Sequence, residues 1–237
     1  MDYVKIVKAE FVARPNRFIA EAKLENEIVR AHVKNTGRLR ELLTKGAVIY
    51  LEDFEGRMGK RKMRYSLVAV EKNYNGQSVI VNIDSQAPNK VVGEALKNGI
   101  IKLENMNGNL DVLPEKTFEK SRFDFRCTDE AGKTAFIEVK GVTLEEKGYA
   151  LFPDAPTERG VKHVNELIKA VECGYKAYII FVVQMSGLKG FMPNEKTHAE
   201  FAEALRNART RGVNILAYDC EVSPKALKIS KRIDVIL

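Results

Sequence analysis

In the first third of the chain, apolar positions recur in short alternating runs. YVKIVKAEFVA (3–13), RFIAEAKL (17–24) and EIVRAHVK (27–34) predict three strands, the last two joined across ENE. In NTGRLRELL the period changes. Leu39, Leu42 and Leu43 stand at helical spacing and predict one short helix. AVIYLED (47–53) and RYSLVAVEKN (64–73) predict two more strands, SVIVNID (78–84) reads as a crossover strand, and SQAPN reads as a boundary. Three strands, a short helix and two strands is the element order of an all-β OB-fold barrel, an architecture that often holds nucleic acid on one face.

From residue 85 the rhythm lengthens. NKVVGEALKNG (89–99) predicts a helix with Val92, Ala95 and Leu96 on one stripe. NLDVLPEKTF, SRFDFRC and TAFIEVK predict three strands on short turns, and TERGVKHVNELIKAVECG (157–174) predicts a helix stopped by its glycine. KAYIIFVV predicts a buried strand, HAEFAEALRNARTRG a third helix, and VNILAYD a last strand. The order α-β-β-β-α-β-α-β predicts an α/β domain with a mixed sheet. The expected division is 1–84 and 85–237.

Composition excludes several classes. With 45% hydrophobic and 30% charged residues the chain is globular, and no apolar run approaches the roughly 20 residues that span a bilayer. The N-terminus lacks the apolar segment of a signal peptide, and three scattered cysteines indicate neither a disulfide framework nor a zinc site. A cytoplasmic protein with no membrane partner is the expectation. Net charge is +7, with 16 Lys/Arg against 11 Asp/Glu in residues 1–84. The densest basic cluster is RMGKRKMR, with Arg57, Lys60, Arg61, Lys62 and Arg64. It is either a solvated loop or a nucleic-acid grip placed in the last hairpin of the barrel. Five phosphate contacts would give a log–log salt slope of about −4.5.

FIEVKGVTL (136–144) raises a chemical question, because Glu138 and Lys140 share one face of an otherwise apolar strand. In SRFDFRC, alternation sets Phe123 and Phe125 on one face and Asp124 on the other. If the two strands pair with their apolar faces on the same side, Asp124, Glu138 and Lys140 converge opposite that core. Two carboxylates about 4 Å apart repel by roughly 4 kcal/mol at an effective dielectric of 20. A hard divalent cation, Mg²⁺ or Mn²⁺, reverses that sign, and a lysine beside it can support water attack on a phosphodiester. The competing reading is a cross-strand salt network with no ion. The α-β-β-β-α-β context is the element order of the PD-(D/E)xK nuclease fold. Glu94 on the preceding helix is a further candidate metal ligand. Arg159 and His163, four residues apart on the following helix, are candidates to reach phosphate. AGKTAF lacks the glycine a phosphate loop needs where Cys127 stands, and there is no HExxH or GxSxG.

NRFIAEAKL, AHVKNTGRLRELL, APNKVVGEAL, SRFDFRC, FIEVKGVTL, LFPDAPTERGVKHVNELI and IIFVVQM together resemble the sugar fermentation stimulation protein A family over nearly the whole chain. The resemblance implies an N-terminal OB-fold, a C-terminal PD-(D/E)xK restriction-endonuclease-like domain and DNA binding, with the nuclease triad falling on Asp124, Glu138 and Lys140. Pro156 stands where the family more usually carries an apolar residue such as valine, which bears on the loop before the helix. Two functions stay open: a metal-dependent DNA hydrolase, and a regulator that binds DNA without cutting it. A scaffold or small-molecule phosphohydrolase with an incidental basic surface is the third class.

Overall fold

A computed structural model describes every residue except Asn75 and Lys120. The chain forms two compact units. The first comprises Met1–Ala87, Gln184–Ser186 and Cys220–Lys228; the second comprises Pro88–Val183, Gly187–Asp219 and Ile229–Leu237.

In the first unit, strands β1 (Ile6–Asn16), β2 (Ile19–Leu24), β3 (Glu27–Val33), β4 (Val48–Asp53), β5 (Tyr65–Tyr74) and β6 (Gln77–Asn82) form one sheet in the order β3-β2-β1-β4-β5-β6. Strand β3 also pairs in parallel with β5, Ala31 opposite Tyr65 and Val33 opposite Leu67, which closes the barrel. Ala20, Ala22, Ala31, Val33, Ile49, Leu51 and Leu67 are fully buried. Their mixture of small and branched side chains suits the narrow interior of a small barrel. Residues distant in sequence join this unit through backbone pairing. Asn82 N–H donates to Gln184 O (2.9 Å), Tyr3 N–H to Lys225 O (2.8 Å) and Leu227 N–H to Met1 O (3.1 Å).

Two expectations fail here. Residues 35–43 form no helix. Leu39 takes φ +50°, outside the helical region, and only one turn closes, Leu43 N–H to Leu39 O at 2.8 Å. The same three leucines are buried by that turn. Strand β6 is no crossover either: it returns antiparallel along β5, Val70 opposite Val81, as the sixth strand of the barrel sheet.

The remaining elements, which belong to the second unit except for Ala87 and the parts of β14 and β15 within Cys220–Lys228, are α1 (Ala87–Lys97), β7 (Asp111–Phe118), β8 (Ser121–Thr128), β9 (Thr134–Val142), β10 (Leu144–Glu146), β11 (Tyr149–Phe152), α2 (Glu158–Glu172), β12 (Lys176–Val183), β13 (Gly190–Pro193), α3 (Glu195–Thr210), β14 (Asn214–Ser223) and β15 (Ala226–Val235). The sheet order is β10-β11-β13-β15-β14-β12-β9-β8-β7. It is mixed: β9, β12 and β14 run parallel, while β7 and β8 run antiparallel to their neighbours. Residues 177–183 of β12 are all fully buried, so that strand reads as an unbroken apolar run. VNILAYD is not the last strand, since β15 follows, and β10, β11 and β13 add to the predicted set. No helix among the described residues is long and apolar enough to cross a membrane.

Helix α2 begins at Thr157, whose Oγ1 accepts from Gly160 N–H at 3.0 Å. Pro156, just before it, leaves that cap intact. The buried face of α2 carries Val164 and Leu167 and also His163, and it packs on β12, β9 and β8.

Candidate functional site

Strands β8 and β9 pair with Phe125 opposite Ile137 and Arg126 opposite Phe136. One residue before this ladder stands Asp124. Along β7 the pairing runs Lys116 to Phe123 and Pro114 to Phe125 and omits Glu115 opposite Asp124. Glu115 has φ +50°, which no regular strand adopts. The irregularity corrects the expected alternation of β8. Phe125 lies beneath α1, its ring 3.2 Å from the position of a Cβ on Gly93. Phe123 instead meets the rings of Phe136 (5.6 Å) and His163 (6.4 Å).

Asp124 is held from both sides. Its Oδ2 accepts from Val139 N–H of β9 at 2.7 Å, and Oδ1 accepts from Asn89 Nδ2 of α1 at 2.7 Å. Burial raises its pKa, and repulsion from Glu138 adds to the rise, against the opposing pull of the two hydrogen bonds.

Glu138 is 3% exposed, and its Oε1 takes two donors at once. Lys140 Nζ lies 2.5 Å away, and His163 Nδ1 lies at the same distance. Arg159 Nε donates to His163 Nε2 at 3.4 Å, so the hydrogen-bond pattern leaves Nδ1 as the protonated nitrogen that donates to Glu138. Burial raises the Glu138 pKa, but the His163 hydrogen bond and the Lys140 charge outweigh it, and the carboxyl sits below its ordinary value. Its Oε2 is buried with no partner.

The side chains therefore offer two interacting carboxylates, one with an orphaned buried oxygen, beside a lysine. Among the described residues, no group of three or more His, Cys, Asp and Glu side chains gathers as a metal cage. A pair of carboxylates is nonetheless the protein share that a Mg²⁺-type site uses, with water and substrate phosphate supplying the rest. The donor set fits a hard divalent cation at Asp124 and Glu138. Glu94 is exposed on α1 and lines, with Asn89, Lys90 and Asp124, a cleft of about 410 Å³. His163, expected on a phosphate-facing surface, is buried and acts on Glu138; Arg159 is exposed and contacts His163.

In the first unit the basic cluster divides. Arg64 donates to both oxygens of buried Asp53 (Nε 2.7 Å, Nη2 2.8 Å). Arg57 donates to Asp53 O at 2.8 Å and lies 3.7 Å from Glu52. Arg61 stacks over Phe54 (3.6 Å) and donates to Ser66 Oγ at 2.5 Å. Lys60 and Lys62 are exposed. The five residues are therefore not equivalent.

Three features escaped sequence reasoning. The His163–Glu138 bond needed the tertiary placement of α2. Asn89 gave no signal at all. Arg14, Arg17, Arg38 and Arg40 lie apart in the sequence and line one cavity only in the fold.

Comparison with known proteins matches residues 12–83 to the SfsA N-terminal OB domain and residues 86–226 to the sugar fermentation stimulation protein RE domain. A sugar fermentation stimulation protein homolog of Ruminiclostridium cellulolyticum is 47% identical over 100% of both chains. One of Desulfitobacterium hafniense (strain DSM 10664 / DCB-2) is 46% identical over 100% of this chain and 99% of its own. The solved structure of Pyrococcus furiosus SfsA in complex with Ca²⁺ is similar with a TM-score of 0.86 and 29% identity, covering 100% of this chain and 98% of that one. With both segments matched and full-length relatives at this identity, the chain belongs to the sugar fermentation stimulation protein family.

Proposed function

We propose that this protein binds DNA and hydrolyses its phosphodiester bonds with the help of Mg²⁺ or Mn²⁺, residues 85–237 carrying the reaction and residues 1–84 contacting the strand. The observation that carries the reading is the buried, unpartnered Oε2 of Glu138 beside Asp124 and Lys140. A relative that covers the whole chain is in complex with Ca²⁺, another hard oxygen-seeking cation, which supports a divalent-ion site.

In this reading Asp124 and Glu138 hold the cation, which when bound supplies positive charge against the phosphate and acidifies water. Asn89 and the Val139 N–H fix the Asp124 carboxylate. His163, oriented by Arg159, occupies one oxygen of Glu138 and leaves the other for the ion. Lys140 donates to the attacking water or to a non-bridging phosphate oxygen. The water oxygen forms a new P–O bond and gives up a proton to solvent, the P–O bond to the departing sugar oxygen breaks, and that oxygen takes up a proton from solvent.

The second reading, a DNA-binding regulator that does not cut, draws on the closed contact of Lys140 and His163 with one oxygen of Glu138, which already neutralises that acid. Incubation with single-stranded, duplex and branched DNA, in Mg²⁺, Mn²⁺ or EDTA, separates the two. Metal-dependent product that disappears in Lys140→Ala is the expected result. Binding with no product under any metal overturns the hydrolase.

A further inference from the structure

The end of β1 and the segment after β3 enclose a shallow cavity of about 390 Å³ lined by four arginines, Arg14, Arg17, Arg38 and Arg40. Its lining contains no carboxylate. By contrast, Arg30, Arg57, Arg64, Arg122, Arg206, Arg211 and Arg232 each lie within ion-pair distance of an acid.

Arg14 organises the cavity. Nη1 donates to Gly37 O (2.7 Å) and Arg38 O (2.8 Å), and Nη2 donates to Arg17 O and Asn35 O, each at 2.8 Å. Its Nε is buried without a partner. Four carbonyl oxygens thus engage the two Nη groups without cancelling the charge of the guanidinium. The same bonds tie the β1–β2 turn to residues 35–38. Leu39 and Leu42, each 2% exposed, pin that segment from below. The backbone at Arg17 and Arg38 is therefore fixed before any ligand arrives. Among the described residues, the exposed side chains of Arg17, Arg38 and Arg40 form no ion pair; Arg17 packs over Phe18 at 4.7 Å.

Like charges collected on a preset frame repel one another until an anion joins them. Guanidinium forks match the geometry of phosphate oxygens. We propose that this cavity is a phosphate-binding site that takes backbone phosphates of a nucleic acid, with Arg17, Arg38 and Arg40 as the contacting side chains and Arg14 as the positioning residue. The proposal rests on the DNA-binding reading above for its ligand, and moves the main grip from the 57–64 cluster to this cavity.

The test uses the full chain. Affinity for a fluorescent oligonucleotide, single-stranded and duplex, is measured by anisotropy from low to moderate salt for wild type, for the triple variant Arg17→Ala/Arg38→Ala/Arg40→Ala, and for Lys60→Ala/Lys62→Ala. Loss of three contacts makes the log–log slope shallower by about 2.7 on duplex and about 2.1 on single strands. The lysine pair changes it by about 1.8 on duplex. Arg38→Ala alone, the milder variant should the triple one fold poorly, accounts for about a third of the triple effect. A triple variant, folded by thermal melting, that keeps the wild-type slope and affinity overturns the site. Should wild type bind no DNA, the DNA reading fails separately. The cavity is then judged with inorganic pyrophosphate. Shifts of arginine side-chain NMR resonances that disappear in the triple variant support an anion site, and their absence in wild type overturns it.

Discussion

Lys140→Met keeps the volume of the side chain and deletes its charge, and its effect on stability and on cation binding can be worked from the site. Lys140 Nζ stands 2.5 Å from Glu138 Oε1, with the lysine side chain 17% exposed and the glutamate side chain 4%. At an effective dielectric near 20, two unit charges at that separation attract by about 7 kcal/mol before desolvation is subtracted. Removing one partner of a buried pair costs about 3–5 kcal/mol. The His163 bond to the same oxygen survives, which favours the lower end, about 3 kcal/mol. For a chain of this size that corresponds to a melting temperature lower by about 6–12 °C in EDTA. A divalent cation changes the sign of the argument. The ammonium that steadied Glu138 is also a like charge beside the ion, so its loss tightens cation binding while removing the donor to water. At a hundredfold excess over Kd, a cation adds about 2.7 kcal/mol to either protein. At one fixed subsaturating concentration, the variant gains more than wild type. Thermal melts in EDTA and across a Mn²⁺ titration, with DNA cleavage read in parallel, make the check. A variant that melts with wild type in EDTA, or gains no more from Mn²⁺, refutes the account of Glu138 as an acid shared between lysine and ion.

Three further outcomes follow from the same reasoning. Asp124→Asn removes the repulsion that helps raise the aspartate's pKa, so melting in EDTA is unchanged or higher while the rise produced by Mn²⁺ is lost. Arg64→Ala lowers the urea midpoint at pH 7. The Arg64 hydrogen bonds hold the Asp53 carboxyl well below the usual range, so their contribution is present above the unfolded carboxylate pKa of about 4 and fades as pH falls through the folded one. The gap to wild type therefore narrows below about pH 4, and an unchanged midpoint at pH 7 with lost DNA affinity would make Arg64 a phosphate ligand instead. Gly190→Ala places a Cβ 2.9 Å from the backbone oxygen of Asp234, where no flexible side chain can yield, and lowers stability by about 1–3 kcal/mol in urea titration.

The element order was readable because each long segment announces one period: alternation in the barrel strands, a 3.6-residue stripe in α1 and α2, an unbroken apolar run in β12. Where one pattern admits two structures, the reading failed. Leu39, Leu42 and Leu43 satisfy helical spacing, yet a single turn buries all three once Arg14 holds the neighbouring carbonyls. Strand β15 was visible in principle, since Leu227 and Ile229 are buried and Lys228 and Ser230 are exposed. The turn before β11 was marked in the sequence by Gly148 alone; in the structure Lys147 and Gly148 both take positive φ, as a type I′ hairpin requires. The nearness of Asp124 to Glu138 and Lys140 was legible from the pairing of two adjacent strands. The break at Glu115 and Asp124 was not, because a non-glycine residue at positive φ leaves no mark in the sequence.

The charged clusters of the first unit show that a dense run of basic residues need not leave its cations free of carboxylates. In YLEDFEGRMGKRKMR the acids Glu52, Asp53 and Glu55 precede the arginines by one hairpin. Pairing of β4 with β5 sets Asp53 opposite Tyr65, next to Arg64. Asp53 is 1% exposed, and a carboxylate so buried must find a cation. The fold therefore consumes Arg64 whatever the partner of the barrel is. Around Arg14 the opposite holds, because carbonyl oxygens engage its Nη groups and still leave the guanidinium its full charge. It follows that residues should be ranked for phosphate contact by their lack of a carboxylate neighbour, not by their number within a short stretch. On that ranking Arg17, Arg38 and Arg40 stand with Lys60 and Lys62, ahead of Arg57 and Arg64.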